Sequence, residues 1–426
     1  YKNPKYREKV WDNSVVSKRV ISWILNSEII YTNTDVYFKE NFLKSIVVQT
    51  NHLKKVVKFE KNYSKKIEIL TAILLTGLVF KEYTENFDFS ILSLEDLIEE
   101  FFDKDGFPLS RNPSHLLKFS KYFILIKECS NEAQKYIPDF LDDIIEKSLN
   151  CLKRISTPEN KIPLFNGGTE VEIKEYFNYI GNLNYKIKPI NNAVGGLSIL
   201  KYKKNTVFFD VGEPPKKSYS KAYQCGPLSF EYYYDGIKVV TNCGFGYNIS
   251  KKAMLLSRLT SAQSTLSIND TSAVKFERNK IANKAFGNSI NDSFKIFDLK
   301  FEDNNEEVSS IATHNAYENL FKCNHKRELK IKKDDEVLSG RDELIKTEND
   351  LTIKYDIRFH LSPGIGAVRT ISGNSALIQL SKNKSLIFTT KNERLSVEKS
   401  IFLGENKILN NLCITVSGNL TDGSKN

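Results

Sequence analysis

The stretch that decides the fold is KAYQCGPLSFEYYYDGIKVVTNCG, residues 221–244. Two strand-prone runs, rich in aromatic and β-branched residues, flank Asp235-Gly236. That dipeptide suits a type I′ turn, which needs positive φ at both central positions, so the stretch reads as a β-hairpin. Its ends carry the amides Gln224 and Asn242, at positions where a metal or catalytic site would want stronger donors.

Outward from the hairpin, the chain changes character near residues 191–196, NNAVGG. Beyond that point short β-prone runs recur between turn signals. SILKYKKNTVFFDVG, RELKIKKDDEVLSGRDELI, LTIKYDIRFHL and SALIQLSKNKSLIFTTKNERLSVEKSIF continue the series, a β-sandwich pattern. Before it the period is helical. SVVSKRVISWILN, ENFLKSIVVQTNHLKKVVKF, SLEDLIEEFF with Ser93 as its N-cap, NPSHLLKFSKYFILIKEC and YIPDFLDDIIEKSLNCLKRI each place apolar residues on one face. Successive helices without intervening strands predict a bundle, a solenoid or an α/α toroid.

Bulk composition narrows the partners. The 426 residues exceed one ordinary core, and 40% hydrophobic content supports packed domains rather than disorder. Net charge is +10, which suits an acidic partner. Lysine outnumbers arginine, asparagine and isoleucine are abundant, and no basic run interleaves with aromatics. Part of the charge therefore reflects AT-rich codon usage, and nucleic acid is not expected. The longest apolar run, ILTAILLTGLVF at 69–80, is shorter than the roughly 20 residues of a membrane span and reads as a buried helix. The six cysteines form no CxxC pair and are expected to be free thiols. The chain opens on Tyr1 rather than Met, so a segment is expected to precede it, and the compartment stays open between periplasm and cytoplasm.

Several motifs in order resemble the heparinase II/III family of polysaccharide lyases, in a bacterial branch. They are GPLSFEYYYDGIKVVTNCGFG (226–246), LSRLTSAQSTLSINDTS (256–272), DGFPLSRNPSHLL (105–117), IPLFNGG (162–168), THNAYENLFKCNHKREL (313–329) and YDIRFHLSPGIGA (355–367). The resemblance implies an α+β multidomain protein. An α/α toroid-like helical domain is expected over residues 1–190 and an antiparallel β-sandwich over 191–426. It also implies a carbon–oxygen lyase that cleaves uronic-acid glycans by β-elimination. That chemistry needs a group to neutralise the uronate carboxylate, a base for the C5 proton and an acid for the leaving oxygen.

By motif position, Asn112 matches the family's neutraliser, and Arg111 beside it offers two-point pairing with a carboxylate. The helical-domain tyrosine is replaced at its motif by Phe165 and Asn166, leaving Tyr176 as a nearby substitute and Asn166 as a sugar contact. The family's catalytic histidine falls at Ala222, and its metal-binding His, Asp and His fall at Gln224, Asn242 and Gln263. Neutral amides are weak zinc donors, so no metal and no cofactor are expected. The amides read either as a structural polar network or as substrate contacts. His314 and Tyr317, in THNAYENLF, remain as candidates for proton transfer. The expected activity is β-elimination on an acidic polysaccharide or oligosaccharide. The alternatives are a non-catalytic glycan-binding protein on the lyase fold and a uronate C5-epimerase.

Overall fold

The computed structural model describes residues 9–188, 192–277, 288–347, 352–391 and 393–420. It divides into two compact units, residues 1–106 with 115–149, and residues 107–114 with 150–426. The domain boundary expected at 190/191 falls at residues 189–191, outside the described residues. The segments 107–114 and 150–188, which carry the SRNPS and PLFNGG motifs, belong to the second unit.

The helices are α1 (Asn13–Leu25), α2 (Ser27–Tyr31), α3 (Val36–Val56), α4 (Tyr63–Val79), α5 (Glu85–Phe101), α6 (Pro113–Glu132), α7 (Asp139–Arg154) and α8 (Lys174–Asn182). In the first unit α4 is the central element: every residue from Ile67 to Gly77 is buried, as its apolar run predicts. Among the described residues no helix is long and apolar enough to cross a membrane. The helix α5 starts upstream of its expected cap. Ser93 lies inside it, because Glu85 and Asp88 already supply the acidic first turn that suits a helix N-terminus.

The second unit is an antiparallel β-sandwich. Its strands are β1 (Ala193–Val194), β2 (Leu197–Tyr202), β3 (Asn205–Asp210), β4 (Phe230–Tyr234), β5 (Ile237–Thr241), β6 (Leu266–Ile268), β7 (Ile296–Asp303), β8 (Glu307–His314), β9 (Cys323–Lys332), β10 (Leu338–Lys346), β11 (Ile353–Leu361), β12 (Gly366–Arg369), β13 (Ser375–Ser381), β14 (Lys384–Thr389), β15 (Leu395–Phe402) and β16 (Leu409–Leu420). A large sheet runs β1-β2-β3-β4-β5-β11-β16-β15, with β6 also on β11. Two smaller sheets run β10-β9-β8-β7 and β12-β13-β14. One core joins all three: Leu200, Val207 and Phe209 from the large sheet, Val308 and Leu329 from the second, Ala376 and Ile378 from the third. The expected hairpin is β4–β5, and Asp235 and Gly236 both adopt positive φ, as a type I′ turn requires. The six cysteines are free thiols.

Candidate active site

The site is built on three backbone segments of the second unit. The first is the loop before α6. Arg111 takes a left-handed conformation at φ 55°, and its guanidinium is a hub. Nε donates to Gly195 O at 3.1 Å, Nη1 to Gly212 O and Glu213 O at 3.0 Å each, and Nη2 to Gly196 O at 3.2 Å. Nη2 also pairs with Asp210. The fork of Arg111 is thus used inside the protein. This corrects the expectation that it pairs with a substrate carboxylate, because its donors already face carbonyls and a carboxylate. Gly212 has no Cβ for good reason: one would stand 2.4 Å from the guanidinium carbon.

Asn112 follows. Its Oδ1 accepts from Ser114 N at 2.8 Å, and Pro113 takes the first helical position of α6, so the side chain caps the helix. The second segment is the turn Phe165–Gly168. Asn166 (φ 51°) and Gly167 (φ 90°) are both left-handed, and Gly168 N closes the turn on Phe165 O at 2.8 Å. The third segment is 222–225. A Cβ added at Gly167 would lie 2.6 Å from Ala222 Cβ and 2.8 Å from Asn112 Nδ2. Asn112, Gly167 and Ala222 are therefore packed together, and the methyl of Ala222 stands where the resemblance places an imidazole. Asn166 is 2% exposed, and its Nδ2 has no hydrogen-bond partner among the described residues.

The three amides lie under this cluster, each at most 2% exposed. Gln224 accepts from Gly167 N at 3.0 Å and donates to Gly244 O at 3.0 Å and Ser257 O at 2.9 Å. Asn242 donates to Leu164 O at 3.1 Å and accepts from Ser264 N at 3.0 Å. Gln263 donates to Ser257 O at 2.8 Å. Of the two readings left open, these bonds favour the structural network: the amides pin backbone segments together and face no solvent. The donor set does not fit zinc, since neutral amides bind it weakly and these already hydrogen-bond to peptide groups.

His314 and Tyr317 sit elsewhere in the core, both 0% exposed. His314 is paired across strands with His325. Ala316 N donates to His314 Nδ1 at 3.2 Å, so His314 Nε2 carries the proton and donates to His325 Nδ1 at 3.1 Å. His325 Nε2 in turn donates to Asp342 at 2.6 Å, which Arg327 also holds at 2.7 Å. Burial holds both histidines below the usual imidazole range, with His325 and Arg327 adding to it at His314. Burial pushes the Tyr317 phenol well up, and its hydroxyl donates to Leu266 O at 3.1 Å. Tyr317 shares its apolar cluster with Tyr223 and Cys225. A base for a sugar proton must reach the sugar, and these groups are sealed. The expectation of proton transfer by His314 and Tyr317 is revised on that ground. Tyr176 is half-buried on α8, its ring 6.3 Å from that of Phe177.

One feature escaped the sequence reading. Lys238 is buried on β5 and pairs with Glu170 at 2.6 Å and Glu231 at 3.4 Å. Glu231 also accepts from Leu164 N at 3.2 Å and Thr241 Oγ1 at 3.2 Å. Burial opposes the Lys238 charge, but the two carboxylates outweigh it and hold its pKa up. This network ties the PLFNGG segment to the hairpin. The signal was present: Glu231 and Lys238 are lone charges inside otherwise apolar strands.

A helical unit and an antiparallel sandwich that carries Asn112, the glycine turn and the amide-bearing hairpin define the architecture of a polysaccharide lyase fold. The family model for the heparinase II/III-like C-terminal domain matches residues 189–424, over half of the chain, and the chain belongs to that family. Heparinase III resembles it with a TM-score of 0.78 at 14% identity, over 99% of this chain and 70% of the other. A mutant of the heparan sulfate lyase HepC from Pedobacter heparinus resembles it with a TM-score of 0.75 at 16% identity, over 100% of this chain and 69% of the other. Among curated proteins none matches this sequence.

Proposed function

We propose that the protein binds an acidic glycan on the lyase scaffold without cleaving it. The observation that carries this reading is the packing of Gly167 against both Ala222 and Asn112. The methyl group fills the position of the family's proton-transferring imidazole, and the surrounding turn closes on it. A β-elimination needs both a base and an acid at the sugar, and the other candidate histidine and tyrosine are sealed in the core. The amide cluster keeps the segments around the site in fixed register, which serves recognition. Asn112, Asn166 and the Gly167 turn are buried, so in this reading they set the shape of the surface that meets the glycan rather than touch it, and heparan sulfate is the first ligand to try given the neighbours' names.

Retention of Asn112 at the neutraliser position favours a second reading, in which the protein is a lyase for a uronate glycan with an unassigned base. One experiment separates the two. The protein is incubated with heparan sulfate, heparin, chondroitin, hyaluronan, alginate and pectate, and ultraviolet absorbance of unsaturated uronate is followed beside binding on a glycan array. Binding with no absorbance gain is the expected result. Steady release of unsaturated product refutes the proposal, as does exchange of the C5 proton with deuterated water, which would mark an epimerase.

A further inference from the structure

The second unit carries a cleft of about 600 Å³ that shares no residue with the Asn112–Gly167–Ala222 cluster, a size within the roughly 300–1,000 Å³ of ligand pockets. Its floor is one face of the β2–β3 hairpin. Ile199 pairs with Phe208 and Lys201 with Thr206 in the ladder, and alternation puts all four on that face. One end is closed by the tight turn Lys203–Lys204 and by the neighbouring turn Asp235-Gly236. The wall is the last turn of α7 and the loop after it.

Six cations line this cleft: Lys153, Arg154, Lys188, Lys201, Lys203 and Lys204. The single acid among its lining residues, Asp235, is already paired with Lys384. Lys203 pairs with Glu336 at 3.0 Å. Lys153, Lys201 and Lys204 have no ion pair among the described residues, and the Lys153 ammonium lies 4.9 Å over the Phe177 ring. Asn192 anchors the half-buried Arg154 guanidinium. Like charges brought this close repel one another, so a cleft with this balance favours an anion.

The arrangement also fixes the kind of anion. The cations come from a helix end, a strand, a turn and the segment before β1, spread around a cleft rather than converging on one point. A lone phosphate would meet one or two of them. A chain bearing a negative charge on successive units meets them all. We propose that this cleft binds an anionic oligosaccharide segment, through lysine contacts to carboxylate or sulfate groups and through its floor to the sugar rings. The inference rests on the acidic-glycan reading above and assigns part of that recognition to a second place on the sandwich.

The test is calorimetric titration of the full chain with a heparin-derived hexasaccharide, at low and high salt. The variants are K201E/K204E and the milder K201Q/K204Q; both lysines are exposed, and unchanged thermal melting verifies folding. Charge reversal is expected to weaken binding by about tenfold at low salt, with a smaller loss for neutralisation and convergence of all three proteins at high salt. Wild-type affinity in both variants overturns the cleft assignment and leaves the proposed function standing. No binding by the wild type to any anionic glycan overturns the proposed function itself. Equal competition by a single-stranded DNA of matched charge overturns the glycan assignment in favour of a general polyanion surface.

Discussion

Arg111 is the residue for which the two accounts of the site differ most, and its removal tests them directly. If it served a substrate carboxylate, losing it would cost binding and little stability. The structure predicts the reverse. Its side chain is 10% exposed and that of Asp210 is 4% exposed. Arg111→Ala leaves a buried carboxylate that keeps, among the described residues, a bond from Gly212 N at 3.2 Å. Breaking one side of a buried ion pair costs about 3–5 kcal/mol. Four carbonyls, of Gly195, Gly196, Gly212 and Glu213, lose their donor as well, though water entering the space left can reach them.

Against a total stability of roughly 5–15 kcal/mol, such a loss brings the sandwich close to unfolding, so a milder variant is needed beside it. Arg111→Lys keeps the charge for Asp210 but cannot span the carbonyls on either side of it. Two or three lost hydrogen bonds predict a loss of about 2–3 kcal/mol. Arg111→Met/Asp210→Asn, which removes both charges, is expected to be more stable than Arg111→Met alone, since no buried charge is stranded. Urea denaturation of the full chain gives all these values. The reasoning is refuted if Arg111→Ala shifts stability by less than 1 kcal/mol (roughly the median of an exposed pair) while glycan binding disappears.

Lys238→Met strands Glu231 and Glu170 in the core and is expected to destabilise by about 3–5 kcal/mol in denaturant titration, with Glu231→Gln/Lys238→Met recovering part; equal losses for single and double variants would argue against a coupled network. Gly167→Ala places a methyl 2.6 Å from Ala222 at a φ that side chains avoid, and it should lower both melting temperature and glycan affinity, an unchanged affinity being contrary to a role for this turn. Asn242→Asp puts a carboxylate against Leu164 O, which now receives a hydrogen bond; stability at neutral pH should fall by about 1–3 kcal/mol, and added zinc should not restore it. Burial holds His314 and His325 down and His360 at about 4. Unfolded histidines take up protons near pH 6.5, so the unfolded state binds more protons below that pH and stability should fall from pH 6.5 towards 4, by up to about 1.4 kcal/mol per pH unit for each histidine. A flat denaturation midpoint across that window would contradict the buried, neutral assignment.

What the sequence disclosed and what it withheld divide along contact range. The β4–β5 hairpin was legible because Asp235-Gly236 and its flanking runs are local signals, and α4 was legible because an apolar run of its length has few other uses. Arg111 was not, because its partners lie 84–102 residues away and no local pattern records them. His314 reads from sequence as the last residue of a strand, where side chains are often exposed. Its burial follows from the register that sets it against His325 and from packing under Phe294 and Tyr317. Ala222, Gln224, Asn242 and Gln263 could be placed by motif, but motif position says nothing about which atoms they meet.

Those meetings bear on why three amides stand together. A metal bound by residues of these three segments would cross-link them through one centre. Gln224, Asn242 and Gln263 link the same segments through peptide groups, and Gln224 reaches the Gly167 turn as well. Gln224 and Asn242 each both donate and accept, which an ionised carboxylate, an acceptor only, does not do. Drift after loss of a metal would leave buried donors and acceptors without partners, each costing about 1–3 kcal/mol. Here the arrangement is satisfied, so the register of the hairpin, the glycine turn and the 257–264 segment is maintained without a metal's charge. Maintained shape together with an alanine at the imidazole position supports the proposed binding reading over cleavage.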